Sequence, residues 1–230
     1  MKKIKALLRY FSPTERILWC VSVLLVVASF LAFDRSGWLT LSASLLGVTS
    51  LIFNAKGNPI GQILMIIFSI LYGMLSYPLA YYGEMITYLG MTAPMALLAL
   101  IAWLRNPYQG NRAEVKVNRI SVREVFLMLG ITALVTALFY FILRAARTAN
   151  LAVSTLSVTT SFIAVYLTFH RSPWFALAYA ANDIVLIVLW IIAACADISY
   201  ISTVICFAAF LVNDLYGFYN WRRMQKRQSI

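Results

Sequence analysis

The stretch AAFLVNDLYGFYNWRRM, residues 208–224, is apolar enough in its first half to lie inside a membrane. Polar side chains nevertheless interrupt it, and a tryptophan followed by two arginines closes it. Acids and amides are costly at membrane depth, so their presence indicates either helix contacts or a functional site. The Trp-Arg-Arg ending is typical of a helix that stops at a membrane surface.

The composition indicates an integral membrane protein. Of the 230 residues, 62% are hydrophobic and only 12% are charged, and the mean hydropathy is +0.82. A soluble domain of this length could not cover so much apolar surface with so few charges. The apolar residues come in blocks of about 20, the length that a helix needs to cross the hydrocarbon core. Because the short alternating strands of a barrel are not seen, the predicted fold class is an all-α integral membrane protein.

Eight transmembrane spans are predicted, separated by turn-forming segments such as DRSG, AKGNP and HRSP. The spans are residues 17–34, 37–54, 60–80, 85–104, 123–143, 150–169, 174–195 and 198–220. An even number of spans places both ends of the chain on the same side of the membrane.

The charged residues predict the orientation of these spans. A net charge of +11 could suggest nucleic acid, but the basic residues cluster at the ends of spans and form no basic stripe. All of the nineteen Lys and Arg residues except Arg35, Arg144 and Arg147 fall on the side of the two termini. We therefore predict a multi-pass protein of the inner or plasma membrane, with both termini cytoplasmic and no nucleic-acid partner.

Two short segments recur along the chain and indicate an internal repeat. NAKGNP at 54–59 has its counterpart in TFHRSP at 168–173, and IAWLR at 101–105 has its counterpart in YNWRR at 219–223. Spans 2–4 therefore resemble spans 6–8, with span 5 between them, as in transporters built from parallel repeats. The predicted organisation is an N-terminal basic segment with the first span (1–36), a first three-helix repeat (37–105), a cytoplasmic loop and linker helix (106–149), a second three-helix repeat (150–221) and a basic cytoplasmic tail (222–230).

The predicted substrate-binding residues are polar and aromatic side chains on the faces of these spans. Asp183 and Asp214 are the acids placed inside spans, and each follows an asparagine. Acids and amides suit the polar edge of a nucleoside or heterocyclic vitamin, and aromatic rings can stack on its flat part. The residues predicted to bind the polar edge are Asn182, Asp183, Asn213, Tyr216 and Asn220. The stacking residues are Tyr179, Tyr72 and Trp190, and further contacts are Gln62, Tyr88 and Asp214.

No metal, cofactor or catalytic residue is predicted. The cysteines Cys20, Cys195 and Cys206 lack metal-ligand spacing and are interpreted as small buried hydrophobic residues. Two intramembrane aspartates could form an aspartyl protease, but the Gly-x-Gly-Asp context of such enzymes is absent. A substrate-binding subunit of an ATP-driven importer is a further alternative; the chain has no GxxxxGK[ST] loop of its own.

At this point the sequence resembles a known family. The segment AKGNPIGQILMIIFSILYGMLSYPLAYYGEM, residues 55–85, and the ending YGFYNWRR, residues 216–223, are similar to core segments of the PnuC vitamin and nucleoside transporters. The resemblance covers about 47–105 and 150–224. It implies a 3+1+3 helical core related to the SWEET sugar carriers, plus an extra N-terminal helix. It also implies facilitated diffusion of nicotinamide riboside or a related unphosphorylated nucleoside or B-vitamin, followed by trapping through a cytoplasmic kinase.

The chain departs from the nicotinamide riboside carriers at two places. Their Trp-x-x-Trp pair is replaced by Ala176 and Tyr179, and a glutamine expected after the YGEM turn is replaced by Thr87 and Tyr88. These departures favour a (deoxy)nucleoside or thiamine permease of the same family as the alternative. Ion coupling, assembly as a homo-oligomer and the role of the first span stay open.

Overall fold

The computed structural model describes residues 10–35, 37–77 and 82–229, and within these ranges it forms eight long helices. They are α1 Pro13–Phe33, α2 Trp38–Ala55, α3 Ile60–Ser76, α4 Tyr82–Leu104, α5 Val122–Ala145, α6 Leu151–Phe169, α7 Trp174–Ala194 and α8 Ile201–Gln228. A 3₁₀ turn, Ile198–Tyr200, precedes α8. A short antiparallel hairpin of β1 Pro107–Tyr108 and β2 Asn111–Val115 lies between α4 and α5; the sequence did not predict it.

The helices agree with the predicted spans in order and nearly in length. Seven helical segments of the described chain are long and apolar enough to cross a membrane, and α3, at 17 residues, is apolar but shorter. Part of the predicted third span, residues 78–80, and most of the basic N-terminal segment lie outside the described residues. The α8 helix runs to Gln228, so most of the predicted basic tail is helical.

Two helices begin with the same local signal. The Ser12 hydroxyl accepts from the Glu15 amide while the Glu15 carboxylate accepts from the Ser12 amide, and Ser121 and Glu124 repeat this arrangement. Such capping boxes satisfy amides that have no partner inside the helix. They explain why α1 begins at Pro13, four residues before the predicted start of span 1.

The middle of α4 is widened by a π turn. It spans Tyr88–Thr92, where the Ala93 amide donates to the Tyr88 carbonyl. Pro94 directly follows and has no amide hydrogen to continue the α-helical pattern. The bulge turns Tyr88 and Thr92 toward the interior, where both are buried.

Six helices form a closed ring. Contacts follow the order α2, α3, α4, α6, α7, α8, and α8 packs back against α2. The α1 helix packs outside this ring on α2 and α8, while α5 packs on α6. The α2–α4 set and the α6–α8 set therefore face each other across a shared interior.

Two symmetrical hydrogen bonds join these sets at one end of the ring. The Trp103 indole donates to the Thr168 carbonyl at 2.9 Å, and the Trp221 indole donates to the Asn54 carbonyl at 2.7 Å. Both indoles are buried, and their ring centroids lie 5.4 Å apart. Because each bond crosses from one set to the other, the pair ties the two sets together at this end.

The connection between α4 and α5 covers the same end. The Val115 amide donates to the Gly57 carbonyl at 2.9 Å, and the Asn118 amide donates to the Arg171 carbonyl at 3.0 Å. Gly57 has a φ of +65°, a left-handed backbone conformation that favours glycine. The connection thus binds both the α2–α3 turn and the α6–α7 turn.

The first helix is held by a buried carboxylate. Glu15, 2% exposed, pairs with Lys56 at 3.1 Å and accepts from the Tyr216 hydroxyl at 3.1 Å. The Asn213 amide of α8 donates to the Ser22 hydroxyl of α1 at 2.9 Å. These contacts link α1 to the end of α2 and to the middle of α8.

Replacing Glu15 with glutamine should lower the free energy of unfolding by about 1–3 kcal/mol, because the buried network loses its negative charge and one of its two acceptor oxygens. Thermal or denaturant unfolding of the purified protein measures this loss. Glu124→Gln is the matched control, since Glu124 occupies the same capping position but its side chain is 36% exposed and lies 4.0 Å from His170. We expect Glu124→Gln to lower the free energy of unfolding by less than about 1 kcal/mol. Equal losses would mean that only the helix cap matters.

Candidate functional site

A cavity of about 30 Å³ lies inside the ring, and each of the six ring helices contributes to its wall. Its polar lining comes from α4, α6, α7 and α8, and its apolar lining from α2, α3 and α8. The polar and aromatic-hydroxyl residues are Tyr88, Thr92, Ser161, Tyr179, Asn182, Asp183 and Asp214. The apolar residues are Leu51, Met65, Phe68, Phe207 and Phe210.

Two acids meet in this cavity. Asp183 of α7 is 3% exposed, Asp214 of α8 is 5% exposed, and their carboxyl groups are close enough to interact directly. The Oδ2 atom of Asp183 has no hydrogen-bond partner among the described residues. The three ion pairs found in the described ranges involve Glu15, Glu114 and Glu124, not these acids. A buried acid without a cation is costly, so the pair is suited to take hydroxyl groups or a positive charge from a ligand.

The side chain of Asn182 is oriented by α6. Its Oδ1 atom accepts from Thr160 at 2.8 Å, from Ser161 at 3.0 Å and from Ser157 at 3.4 Å. Three hydroxyl donors therefore occupy the carbonyl side of the amide. The NH₂ group is then the part of Asn182 that can donate to a molecule in the cavity.

An aromatic layer separates this cavity from a second one near Asp34. Tyr72 and Tyr88 have ring centroids 4.5 Å apart, and Tyr72 also contacts Phe207 and Trp190 edge-on at 5.8 and 6.3 Å. Tyr72 and Trp190 line the second cavity, of about 60 Å³, rather than the first. Of the predicted stacking residues, only Tyr179 lies at the central cavity.

Four other predicted residues make helix contacts away from the cavity. Besides the Asn213 and Tyr216 contacts to α1, Asn220 donates to the Ala55 carbonyl and Gln62 donates to the Asn54 side chain, each at 2.8 Å. Consecutive residues point about 100° apart on a helix, so Asn213 and Asp214 cannot face the same direction. Since Asp214 lines the cavity, Asn213 faces α1.

Several cavity residues carry no sequence signal that distinguishes them. Phe68, Phe207 and Phe210 are buried in the cavity wall, but other apolar side chains of α3 and α8, such as Ile63 and Val212, are exposed. The same apolar residue types line the cavity and face lipid, so residue type does not distinguish the two positions. Thr92 could have been predicted as a cavity residue from the sequence, because it lies one helical turn after Tyr88 and so shares a helix face with it.

Apolar helices around a small, acid-containing polar cavity are the features of a multi-pass membrane protein with a polar site inside the membrane. A family model described as "Nicotinamide mononucleotide transporter" matches residues 37–223, so the chain belongs to that family. The match begins after α1, within a residue of the start of α2.

Individual relatives agree with this assignment. The chain is 26% identical to the nicotinamide riboside transporter PnuC of Neisseria mucosa over 217 residues, which cover 92% of this chain and 82% of the relative. It is 24% identical to the PnuC of Haemophilus influenzae over 224 residues, covering 95% of this chain and 94% of the relative. The fold matches a crystal structure of the vitamin B3 transporter PnuC with a TM-score of 0.82 and 22% identity, over 95% of this chain and 94% of that one.

Proposed function

We propose that this protein is a uniporter that takes up nicotinamide riboside, or a related unphosphorylated nucleoside or B-vitamin, by facilitated diffusion. The observation that carries this proposal is the pair of buried acids, Asp183 and Asp214, without a basic partner among the described residues, beside an amide and two tyrosines. The names of the relatives support the ligand class. A cytoplasmic kinase that phosphorylates the product would keep the flux inward, because the charged product does not re-enter an apolar bundle.

Each cavity residue has a proposed role. Asp183 and Asp214 accept ligand hydroxyls or face its positive charge, and the Asn182 NH₂ group donates to an acceptor of the ligand. Tyr88 and Tyr179 provide ring surfaces. Tyr72 and Trp190 close the cavity on the Asp34 side, and Asn213, Tyr216, Asn220 and Gln62 hold the surrounding helices.

The proposed architecture is a parallel 3+1+3 repeat of SWEET type, with α2–α4 and α6–α8 as its halves, α5 as the linker and α1 as the extra helix. The reciprocal tryptophan bonds support it, because Trp103 and Trp221, and their acceptors Thr168 and Asn54, occupy equivalent positions of the two repeats. A drug-sized ligand usually needs roughly 300 Å³ or more. Since the central cavity has about 30 Å³, binding requires the two halves to move apart.

The proposed orientation places the tryptophan end, with Lys56 and the α8 tail, in the cytoplasm, and the Asp34 end outside. Both termini are then cytoplasmic, in the plasma membrane. A (deoxy)nucleoside or thiamine is the second candidate cargo, favoured because Ala176 and Tyr179 stand where nicotinamide riboside carriers have two tryptophans. Ala176 is fully buried in the helix interface and offers no ring to a ligand.

Thermal stabilisation of the purified protein tests the ligand class. Nicotinamide riboside, thiamine, riboflavin, ribonucleosides and deoxynucleosides are each added, and a specific ligand at 100 times its Kd should stabilise the fold by about 2.7 kcal/mol. We expect one of these compounds to do so, and its uptake into proteoliposomes to be unaffected by a protonophore. Stabilisation by no compound of the panel would contradict the proposed cargo, and loss of uptake with the protonophore would contradict uniport.

A further inference from the structure

A third, larger cavity lies at the tryptophan end of the molecule. It measures about 380 Å³, opens to the surface, and is bordered by the connection before α5, the first turn of α7 and the last turns of α8. Arg119, Arg222 and Lys226 line it together with Trp174. Among the described residues that line it, none is acidic. Its volume is in the range of small-molecule sites, and its charge favours an anion.

The start of α7 has an unpartnered hydroxyl group at this cavity. Ser172 contributes to the wall of the cavity and is 0% exposed. Its hydroxyl has no hydrogen-bond partner among the described residues. The equivalent residue of the first repeat, Asn58, behaves differently, because its side chain accepts from the Ile60 amide at 3.0 Å and so caps α3. Free amides at a helix N-terminus attract anions. The α7 start thus has a hydroxyl without a partner and a Trp174 amide without a side-chain cap, whereas the equivalent amide of α3 is capped.

The basic side chains are held in place around this point. The guanidinium of Arg222 lies 5.7 Å from the Trp174 ring centre and bonds Gln225 at 2.9 Å. Arg119 donates to the Ser229 hydroxyl at 2.9 Å. Arginines fixed in this way can form paired hydrogen bonds to a phosphate without first losing much side-chain freedom. The exposed Trp174 ring provides an apolar wall beside them.

We propose that this cavity binds a phosphate monoester of a small aromatic molecule, namely a nucleoside monophosphate. The phosphate sits between Arg222, Arg119, Lys226 and the Trp174 amide with Ser172, and the ring system lies toward the Trp174 side chain. The choice of a nucleoside monophosphate as the bound molecule rests on the proposed function, in which this end is cytoplasmic and faces the phosphorylated product of the carried nucleoside. Occupancy ties α7, α8 and the connection together, and so slows opening of this end. An anionic lipid headgroup has the same phosphate chemistry and is the other source.

The test measures binding to the purified full-length protein in nanodiscs of phosphatidylcholine. Calorimetry with nicotinamide mononucleotide and thymidine monophosphate is compared with inorganic phosphate alone. We expect saturable binding of a monophosphate, weakened at least tenfold by Arg222→Gln and several-fold by Ser172→Ala. Arg223→Gln is the matched control: Arg223 is exposed on the next position of α8, stacks over Tyr219 at 5.8 Å and does not line the cavity. The control should bind as the unmodified protein does.

The remaining outcomes distinguish the alternatives. If phosphatidic acid in the nanodisc binds through Arg222 and the monophosphates do not, the occupant is a lipid and the metabolite assignment is overturned. If neither Arg222→Gln nor Ser172→Ala changes any binding, the site itself is overturned. Failure of the proposed function would appear separately, as absence of binding and uptake of every unphosphorylated nucleoside, and would leave the monophosphate result standing. Monophosphate enclosed in proteoliposomes should slow nucleoside uptake at least threefold.

Discussion

Replacing Asp183 with asparagine should weaken binding of the transported ligand roughly 5- to 150-fold, because an NH₂ group in place of Oδ2 cannot accept a hydrogen bond and leaves a buried donor of the ligand unpaired, at a cost of about 1–3 kcal/mol. The unpartnered Oδ2 atom of this residue lies in the cavity wall, beside Asp214. Asparagine has nearly the same volume, so the packing of α7 is retained. Calorimetric titration with the ligand identified from the panel measures the change, and the initial rate of uptake should fall with it.

The matched control for this prediction is Asp197→Asn. Asp197 is an exposed acid in the turn between α7 and α8 and accepts from the Ser199 amide at 2.9 Å. We expect the ligand affinity of the Asp197→Asn protein to change less than about twofold, since a surface acid far from the cavity contributes little to binding. Unchanged affinity in a folded Asp183→Asn protein would show that the central cavity is not the binding site. Because Asp183 and Asp214 are neighbours, adding Asp214→Asn to the Asp183→Asn protein should weaken ligand binding by less than Asp214→Asn does in the unmodified protein.

Truncating Trp221 to alanine should lower the free energy of unfolding by about 3–5 kcal/mol. The side chain is 0% exposed, contacts the Trp103 and Phe175 rings, and donates to the Asn54 carbonyl. Its loss leaves a cavity and removes the hydrogen bond that joins the two halves, although the Asn54 carbonyl still accepts from the Gly57 amide at 2.9 Å. Trp221→Phe keeps most of the volume and should cost only about 1–2 kcal/mol, the contribution of the hydrogen bond.

Thermal unfolding in detergent compares these variants with Trp38→Ala. Trp38 begins α2 and is 64% exposed, so its removal should cost less than about 1 kcal/mol. If Trp221→Ala and Trp38→Ala unfold alike, the tryptophan end does not hold the two halves together. A loss of uptake without loss of stability would instead indicate that Trp221 acts only during transport.

The helices could be predicted because their lengths match the thickness of a bilayer and because turn residues separate them. The α4–α5 hairpin could not, since its two strands are short and gain their order from contacts with Gly57 and Gln228. Asp183 and Asp214 stood out because charged groups are rare at membrane depth. The direction of Asn213 could not be read from spacing alone. A helical wheel gives the angle between residues, but only the packing of α1 on α8 shows which side is occupied.

The reciprocal tryptophan bonds have a consequence for how the protein moves. The Trp103 and Trp221 rings touch, and each indole is anchored on the opposite half. Separating the halves far enough to break one bond also removes the ring that packs against the other. Opening at this end should therefore be cooperative, with both anchors released together. This end of the protein should therefore have two states, closed and open. Its rate of opening should depend on the sum of both anchors rather than on either one.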